Sequence, residues 1–378
     1  LQDSKDALRR TSYFDEVEIE EQRVGANQVD LLVKVKEAST GSISGGIGYG
    51  SSDGLLLNAS VSDTNVFGSG MKGVIRVDRS DNELSGQIGL TNPRLFDSEY
   101  SLGGTLYAND YSWNNYDEKS YGLNVVVGRK LTRNLSASLG YIIEQSRISG
   151  LSDVLKTVGY KDGKSLKSSL IPSITYNSTD DYYLPRTGII ASTSLEFAGV
   201  GGDEKFLKSR TNFNWYQGIR EWVDYDLIFR FKSSFGKIWD RGWVPINERL
   251  YLGGIRNLRG FESRTVSPKV KVLSGSWYET GGDMSFNSSA ELSFPLIERV
   301  KMRGVLFVDY GVIHGKIANV TSPGIVDHVD GRISRYSAGA GIEWVTPMGP
   351  LQLIFAKPLK KQDGDDTSTF EFTIGQRF

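Results

Sequence analysis

From about Thr40 to the last residue, apolar and polar side chains alternate in run after run. In the clearest, Val223, Tyr225, Leu227, Phe229, Phe231 and Phe235 share one face, broken only by Ser233. Asp224, Asp226, Arg230, Lys232 and Ser234 share the other. Successive side chains of a strand point to opposite faces, so this pattern predicts a strand over Val223–Phe235 with one side on an apolar medium and the other on water. Tyr121, Leu123, Val125 and Val127 repeat it, as do Met284, Phe286, Ala290, Leu292 and Phe294. At the end of the chain Phe370, Phe372, Ile374 and Phe378 oppose Glu371, Thr373 and Arg377. Many runs pass ten residues, whereas strands of soluble sheets average roughly five or six. That length suits a tilted crossing of hydrocarbon, and a soluble sandwich or propeller is the weaker alternative. About sixteen such runs can be counted, an even number that fits an antiparallel transmembrane β-barrel.

The connections fall into two classes. Counted from a first strand at Gly41–Gly50, one set includes long loops near Gly150–Lys164, Lys237–Gly281 and His314–Arg332. The other is mostly tight, as at Pro295–Val300 and Thr346–Gly349. Short periplasmic turns and long external loops are expected of bacterial outer-membrane barrels. Residues 1–37 read differently: Asp3 or Ser4 can cap a short helix through Arg10, and two strands follow, joined by a turn at Gly25-Ala26-Asn27. This α+β piece has too little core to fold alone, and it falls on the periplasmic side. The chain opens at Leu1 without a methionine, and we take it as part of something longer.

Composition removes several functions. With 44 Lys+Arg against 45 Asp+Glu there is no basic surplus for nucleic acid. The absence of cysteine excludes disulfides and thiolate metal sites, and two histidines, His314 and His328, are too few for a histidine-based zinc site. No apolar run is long enough for a transmembrane helix, which leaves a strand-built crossing open. The 43 glycines and the 18 Tyr, 17 Phe and 7 Trp suit strands that turn often and carry aromatic belts.

Individual motifs weigh mostly toward structure. Gly45-Gly46-Ile47-Gly48-Tyr49-Gly50 has glycine spacings like a phosphate loop, but no Lys-Ser/Thr pair or amphipathic helix follows, so nucleotide binding is rejected. A first strand so rich in glycine packs little and closes a barrel poorly. Ser337-Ala338-Gly339-Ala340-Gly341 is a small-residue patch where backbone or a loop can approach the wall. Asp180-Asp181 and Asp365-Asp366 sit in turn-like contexts as solvated loop charges, and Asp181–Gly188 is a structured turn. The histidines share one external loop without carboxylates at ligand spacing. No nucleophile with its base can be assembled, so neither enzymatic activity nor a cofactor or metal is expected.

The segment from Lys237 to Gly281 is unusual for its length without a sustained strand pattern, and at its centre stands Gly253-Gly254-Ile255-Arg256-Asn257-Leu258-Arg259-Gly260-Phe261. A loop arginine is ordinarily solvated. Arg259, however, lies between apolar Leu258 and Phe261, beside a glycine that lets the backbone bend or approach closely. If this loop folds into a barrel lumen, Arg259 needs carboxylate partners there. Glu291 and Asp309 both lie on the inward side of the strands that follow.

Together these residues resemble the BamA family of bacterial outer-membrane barrel assembly factors. Leu258-Arg259-Gly260-Phe261 resembles the family's Val-Arg-Gly-Phe loop motif, with Leu for Val. Trp344-Val345-Thr346-Pro347-Met348-Gly349-Pro350 and Lys357-Pro358 resemble its penultimate-strand region, and Thr373-Ile374-Gly375-Gln376-Arg377-Phe378 its closing strand. Ser12-Tyr13-Phe14-Asp15 and Val29–Glu37 resemble the second half of the last POTRA domain. The resemblance implies an all-β fold: a sixteen-stranded antiparallel barrel over 38–378 in the outer membrane of a Gram-negative bacterium, preceded by a partial α+β POTRA domain over 1–37. It implies that the loop at about 237–281 folds inward and that Arg259 pairs with Glu291 and Asp309. It implies a lateral gate between first and last strands, here Gly45, Gly46 and Gly48 against Phe372, Gly375 and Phe378, where unfolded outer-membrane clients are templated, with Gly375 a kink point. Accessory lipoproteins and outer-membrane lipid are the other implied partners. A two-partner secretion pore or the related translocation module shares the arginine motif and is the alternative; a plain diffusion porin fits the N-terminal part and the weak first strand less well.

Overall fold

A computed structural model of the chain describes residues 13–25, 29–51, 53–181, 184–220, 224–346 and 349–374. β1 (Phe14–Arg23) and β2 (Val29–Glu37) form a separate antiparallel pair. The barrel begins with β3 (Gly41–Gly50), β4 (Gly54–Asp63), β5 (Lys72–Arg79), β6 (Glu83–Asn92), β7 (Tyr100–Trp113) and β8 (Tyr116–Lys130). It continues through β9 (Leu135–Ser149), β10 (Gly163–Asn177), β11 (Thr187–Gly202), β12 (Lys205–Gly218) and β13 (Ile228–Trp243). Outside the wall, β14 (Lys269–Val272) pairs with β15 (Trp277–Glu279). The wall resumes with β16 (Met284–Ile297) and β17 (Met302–Gly315), and β18 (Ile325–Val329) joins β14. β19 (Gly331–Thr346), β20 (Gly349–Lys360) and β21 (Phe370–Ile374) complete it. Among the described residues, sixteen strands close into one antiparallel barrel with β21 beside β3.

The alternation read from the chain is the inside and outside of this wall. Ile75, Val77, Ile88, Leu106 and Val308 are exposed on the outer face. Arg230, Glu291, Asp309 and Glu343 are buried on the inner one. Lipid, rather than a second layer of protein, is the medium that such an apolar outer face requires. The interior is not filled by wall side chains alone: Leu252, Leu258, Phe261 and Val266 of the long loop pack on Ile313 and Ile333. Residues of that loop also enter the clusters around Leu155 and Phe206, while Val305, Phe307, Ile354 and Ala356 of the wall form another.

Three expectations change here. The strand expected over Val223–Phe235 begins at Ile228 and runs on to Trp243. Asp224 turns the chain with a φ of 49°, the Leu227 amide donates to the Tyr225 carbonyl, and Asp226 is held by Arg303 and Arg186; Val223 lies outside the described residues. The segment Lys237–Gly281 is also not strandless, since it holds the end of β13 and the β14–β15 hairpin. Inward Ile238 packs on Phe206 and Val244, so both faces are apolar there and the alternation is masked. Finally, His314 stands on β17 rather than in a loop, its Nδ1 3.2 Å from Asp283 Oδ1. The helix expected at 4–10 and the turn residues Ala26 and Asn27 lie outside the described residues.

Candidate functional site: the tethered loop and the barrel seam

The loop enters the lumen as a narrow doubled-back finger. Backbone bridges join Leu250 to Gly282, Leu252 to Val266 and Gly254 to Leu258. At its tip the Gly253 amide donates to Asn257 Oδ1 at 2.7 Å, and the Gly254 amide to the Phe261 carbonyl at 2.8 Å. Leu258 and Phe261 are fully buried, which fixes the direction in which Arg259 leaves the finger. Gly260 has a φ of +89°, and a Cβ there would lie 3.3 Å from the Cβ of Ala356 on β20. Both the bend and the close approach therefore require glycine.

Arg259 is 4% exposed. Its Nε and Nη2 donate to Asp309 Oδ2 and Oδ1 at 2.7 and 2.6 Å, a bidentate pair, and its own backbone N–H donates to the same carboxylate at 3.1 Å. Nη2 also donates to Ser289 Oγ at 2.6 Å and lies 3.0 Å from Glu291 Oε1. The guanidinium sits 3.5 Å from the centre of the Phe307 ring. Both expected partners are thus in place. Glu291 is shared with Arg230 at 3.0 Å and Lys232 at 3.2 Å, and Arg230 makes two hydrogen bonds to Glu343. Arg259, Arg230 and Lys232 meet Asp309, Glu291 and Glu343, so the buried network is charge-balanced. Such a network is costly to desolvate and far more costly to leave half-made. It acts as a lock on the loop.

Two further clusters tie the same loop and were not foreseen. Glu248, in the short 3-10 turn Ile246–Glu248, receives Lys167 Nζ from β10 at 2.6 Å and Lys208 Nζ from β12 at 2.8 Å. Burial by itself would raise the Glu248 carboxyl; Lys208 and Lys167 outweigh it and hold it well below the ordinary range. On the other side Asp365 pairs with Arg335 through both oxygens, at 2.5 and 3.1 Å, and lies 3.5 Å from Lys269 Nζ. Asp365 is therefore a buried anchor and not the solvated turn charge expected of it. Sequence shows a polar residue between turn formers; only the fold brings Arg335 to it. Asp180 does behave as expected, its carboxylate accepting from the Arg186 and Thr187 amides. The small-residue patch is overlain by wall side chains: a Cβ at Gly339 would meet Phe307, and one at Gly341 would meet Ile354.

The seam is built differently. β3 pairs with β4 from Gly41–Asp63 to Gly50–Gly54, and β21 pairs with β20 from Phe370–Phe355 to Ile374–Leu351. Between β21 and β3, among the described residues, Thr373 opposite Gly50 is the one paired position. The Ser51 amide adds a bond to the Phe372 carbonyl at 3.0 Å, and Phe372 stacks on Tyr49 with ring centres 5.4 Å apart. Gly45, Gly46 and Gly48 lie on β3 opposite Ala59, Asn58 and Leu56 of β4. Ile43 on this strand is 86% exposed. Gly375 and Phe378 lie outside the described residues, as do Pro347 and Met348.

Among the described residues, a closed sixteen-stranded transmembrane barrel with one long loop held in its lumen is the class of protein that this geometry defines. The Omp85 superfamily domain matches residues 65–378, and the chain belongs to that superfamily. It is 28% identical to the outer membrane protein assembly factor BamA of Neisseria meningitidis, over 100% of this chain and 52% of the relative. It is 28% identical to that of Nitratidesulfovibrio vulgaris, over 100% and 47%. The crystal structure of BamA from Haemophilus ducreyi lacking POTRA domains 1–3 superposes with a TM-score of 0.85 at 26% identity, covering 100% of this chain and 78% of that one. The chain spans about half the length of the curated relatives it matches.

Proposed function

We propose that the chain is the barrel part of an outer-membrane assembly factor of the BamA kind, which folds and inserts client β-barrel proteins through the β21–β3 seam. The observation that carries this is the contrast at β21, bonded along its whole described length to β20 and at one position to β3. A strand edge in hydrocarbon presents N–H and C=O groups that cannot go unsatisfied, and a client strand satisfies them by pairing with the edge. The chemistry is hydrogen-bond exchange and needs no nucleotide, cofactor or nucleophile. The paired strands β1 and β2, whose Val29, Leu31, Val33 and Val35 are exposed, fit the reading of residues 1–37 as part of a periplasmic POTRA domain. Accessory lipoproteins would dock on that periplasmic side.

The chain has no cysteine, so the seam can be locked cleanly. A Cβ added at Gly50 would lie 3.8 Å from Thr373 Oγ1, close enough for a disulfide between Gly50→Cys and Thr373→Cys. Oxidised protein in liposomes is expected to lose most of its ability to insert an unfolded client barrel, and reduction to restore it. Insertion at full rate through the oxidised seam contradicts the proposal. Steady ion conductance with no client insertion in either state identifies a pore instead.

A further inference from the structure

Two side chains of β21, Glu371 and Thr373, alternate to the inner face, and both are buried, at 1% and 6% exposure. Neither oxygen of the Glu371 carboxyl has a hydrogen-bond partner among the described residues, and the Thr373 hydroxyl has none either. The Gly260 amide of the finger stands near Glu371, outside hydrogen-bond geometry. The cation close by is Arg259, already held by Asp309 and Glu291, and the other charges close by, Asp309 and Glu262, are acids like Glu371 itself. Opposite Glu371 on β20 stands Ile354, fully buried among Val305, Phe307 and Ala356. The lock on β17 is the reverse case, since both Asp309 oxygens accept from Arg259. A carboxyl or hydroxyl buried without a partner is costly in any protonation state, and in a folded protein it calls for a reason.

We infer that Glu371 and Thr373 bias the seam toward opening, because their unmet polar atoms penalise the closed junction and find partners once β3 parts from β21. The surroundings fit that role. Thr373 lies opposite Gly50, so Glu371, two residues earlier on an antiparallel strand, lies past the end of β3. What covers this edge is Ser51, whose amide donates to the Phe372 carbonyl at 3.0 Å and whose hydroxyl accepts from the Phe372 amide at 3.3 Å. Beside it is a cavity of about 270 Å³ lined by Ser51, Asp53, Ser368, Glu262 and Arg264, a polar space that can hydrate groups released from the junction. Both residues are positioning residues: they act through the β21 edge and on no reacting atom. The inference deepens the reading of the seam as the point of client entry and rests on that reading for its link to insertion.

Glu371→Met keeps the length of the side chain and removes the carboxyl, and Thr373→Val keeps the shape and removes the hydroxyl. The full chain is reconstituted in vesicles of phosphatidylethanolamine and phosphatidylglycerol, and amide exchange is followed without any client. Exchange at Ser51 is expected to slow by about tenfold in Glu371→Met and by less in Thr373→Val, with β17 unchanged. Glu371→Gln keeps unmet polar atoms without a charge and is expected to fall between wild type and Glu371→Met. Insertion of an unfolded outer-membrane barrel is expected to slow in Glu371→Met together with exchange. Unchanged or faster exchange at Ser51 in both Glu371→Met and Thr373→Val overturns the inference, and so does slower exchange with insertion at the wild-type rate. A wild-type chain that inserts no client defeats the reading of the seam as client entry, whereas the bias on the junction stands or falls by exchange alone.

Discussion

From Met302 to Gly315, β17 is bonded to β19 on one edge and β16 on the other, and its inner face holds the loop through Asp309. Among the described residues, β21, two strands beyond β19, is bonded along one edge and at one position on the other. The same kind of alternating sequence forms both regions, so alternation does not set their strength. What differs is a third element: at β17 a loop enters the lumen and its buried charges are met on the wall, whereas at the seam, among the described residues, the glycine-rich β3 meets β21 through Thr373 opposite Gly50, the Ser51–Phe372 bond and the Tyr49–Phe372 stack.

The largest expected effect breaks the strong side of this contrast. Arg259→Ala leaves Asp309 buried without its cation, while Glu291 keeps Arg230 and Lys232; stranding the Asp309 charge costs about 3–5 kcal/mol. A lower unfolding midpoint and loss of the heat-resistant folded band on a gel are expected; an unchanged midpoint means the lock is ornamental. Glu248→Gln follows, at about 1–3 kcal/mol for hydrogen bonds to charged groups that are weakened. The pH dependence has a defined sign. Because the folded Glu248 carboxyl lies below its unfolded value, its contribution is complete above the unfolded pKa and is lost as pH falls toward the folded one. Unfolding midpoints measured from neutral pH down into the acid range should converge for wild type and Glu248→Gln; a constant gap excludes the linkage.

Gly260→Ala is expected to cost roughly 1–2 kcal/mol, since an L residue is forced into a left-handed conformation against Ala356. The same substitution at Gly104, where a Cβ meets nothing within 4 Å and φ is not left-handed, should cost less, and equal losses would remove the special role of Gly260. The smallest effect lies at the seam. Phe372→Ala removes the stack on Tyr49, worth about 0.5–1.5 kcal/mol beyond burial. Amide exchange of β3 should quicken while that of β17 stays unchanged; faster exchange in both would merge the two regions that the comparison separates.

Much of this was legible along the chain. Period two marks the wall strands, the parity of Glu291 and Asp309 puts them inside, and the glycines of β3 mark a strand with little to pack. Arg259 could be matched with its partners because the partners sit on regular strands, where side-chain direction follows from position. Legibility failed where side chains are apolar on both faces, as at Ile238, and where a residue's partner comes from a distant loop. Nothing near Glu248 announces Lys167 and Lys208, and Asp365 looks like any turn aspartate until Arg335 stands beside it.

Sequence alone determined the membrane-facing barrel, its strand number and the inward set of charges, because strand alternation is a local property that solvent on one side and lipid on the other select. Only the tertiary structure decided which loop charges are buried and how β21 meets β3 among the described residues. Those depend on which distant segments meet once the sheet curves shut, and closure is a property of the whole wall rather than of any one strand.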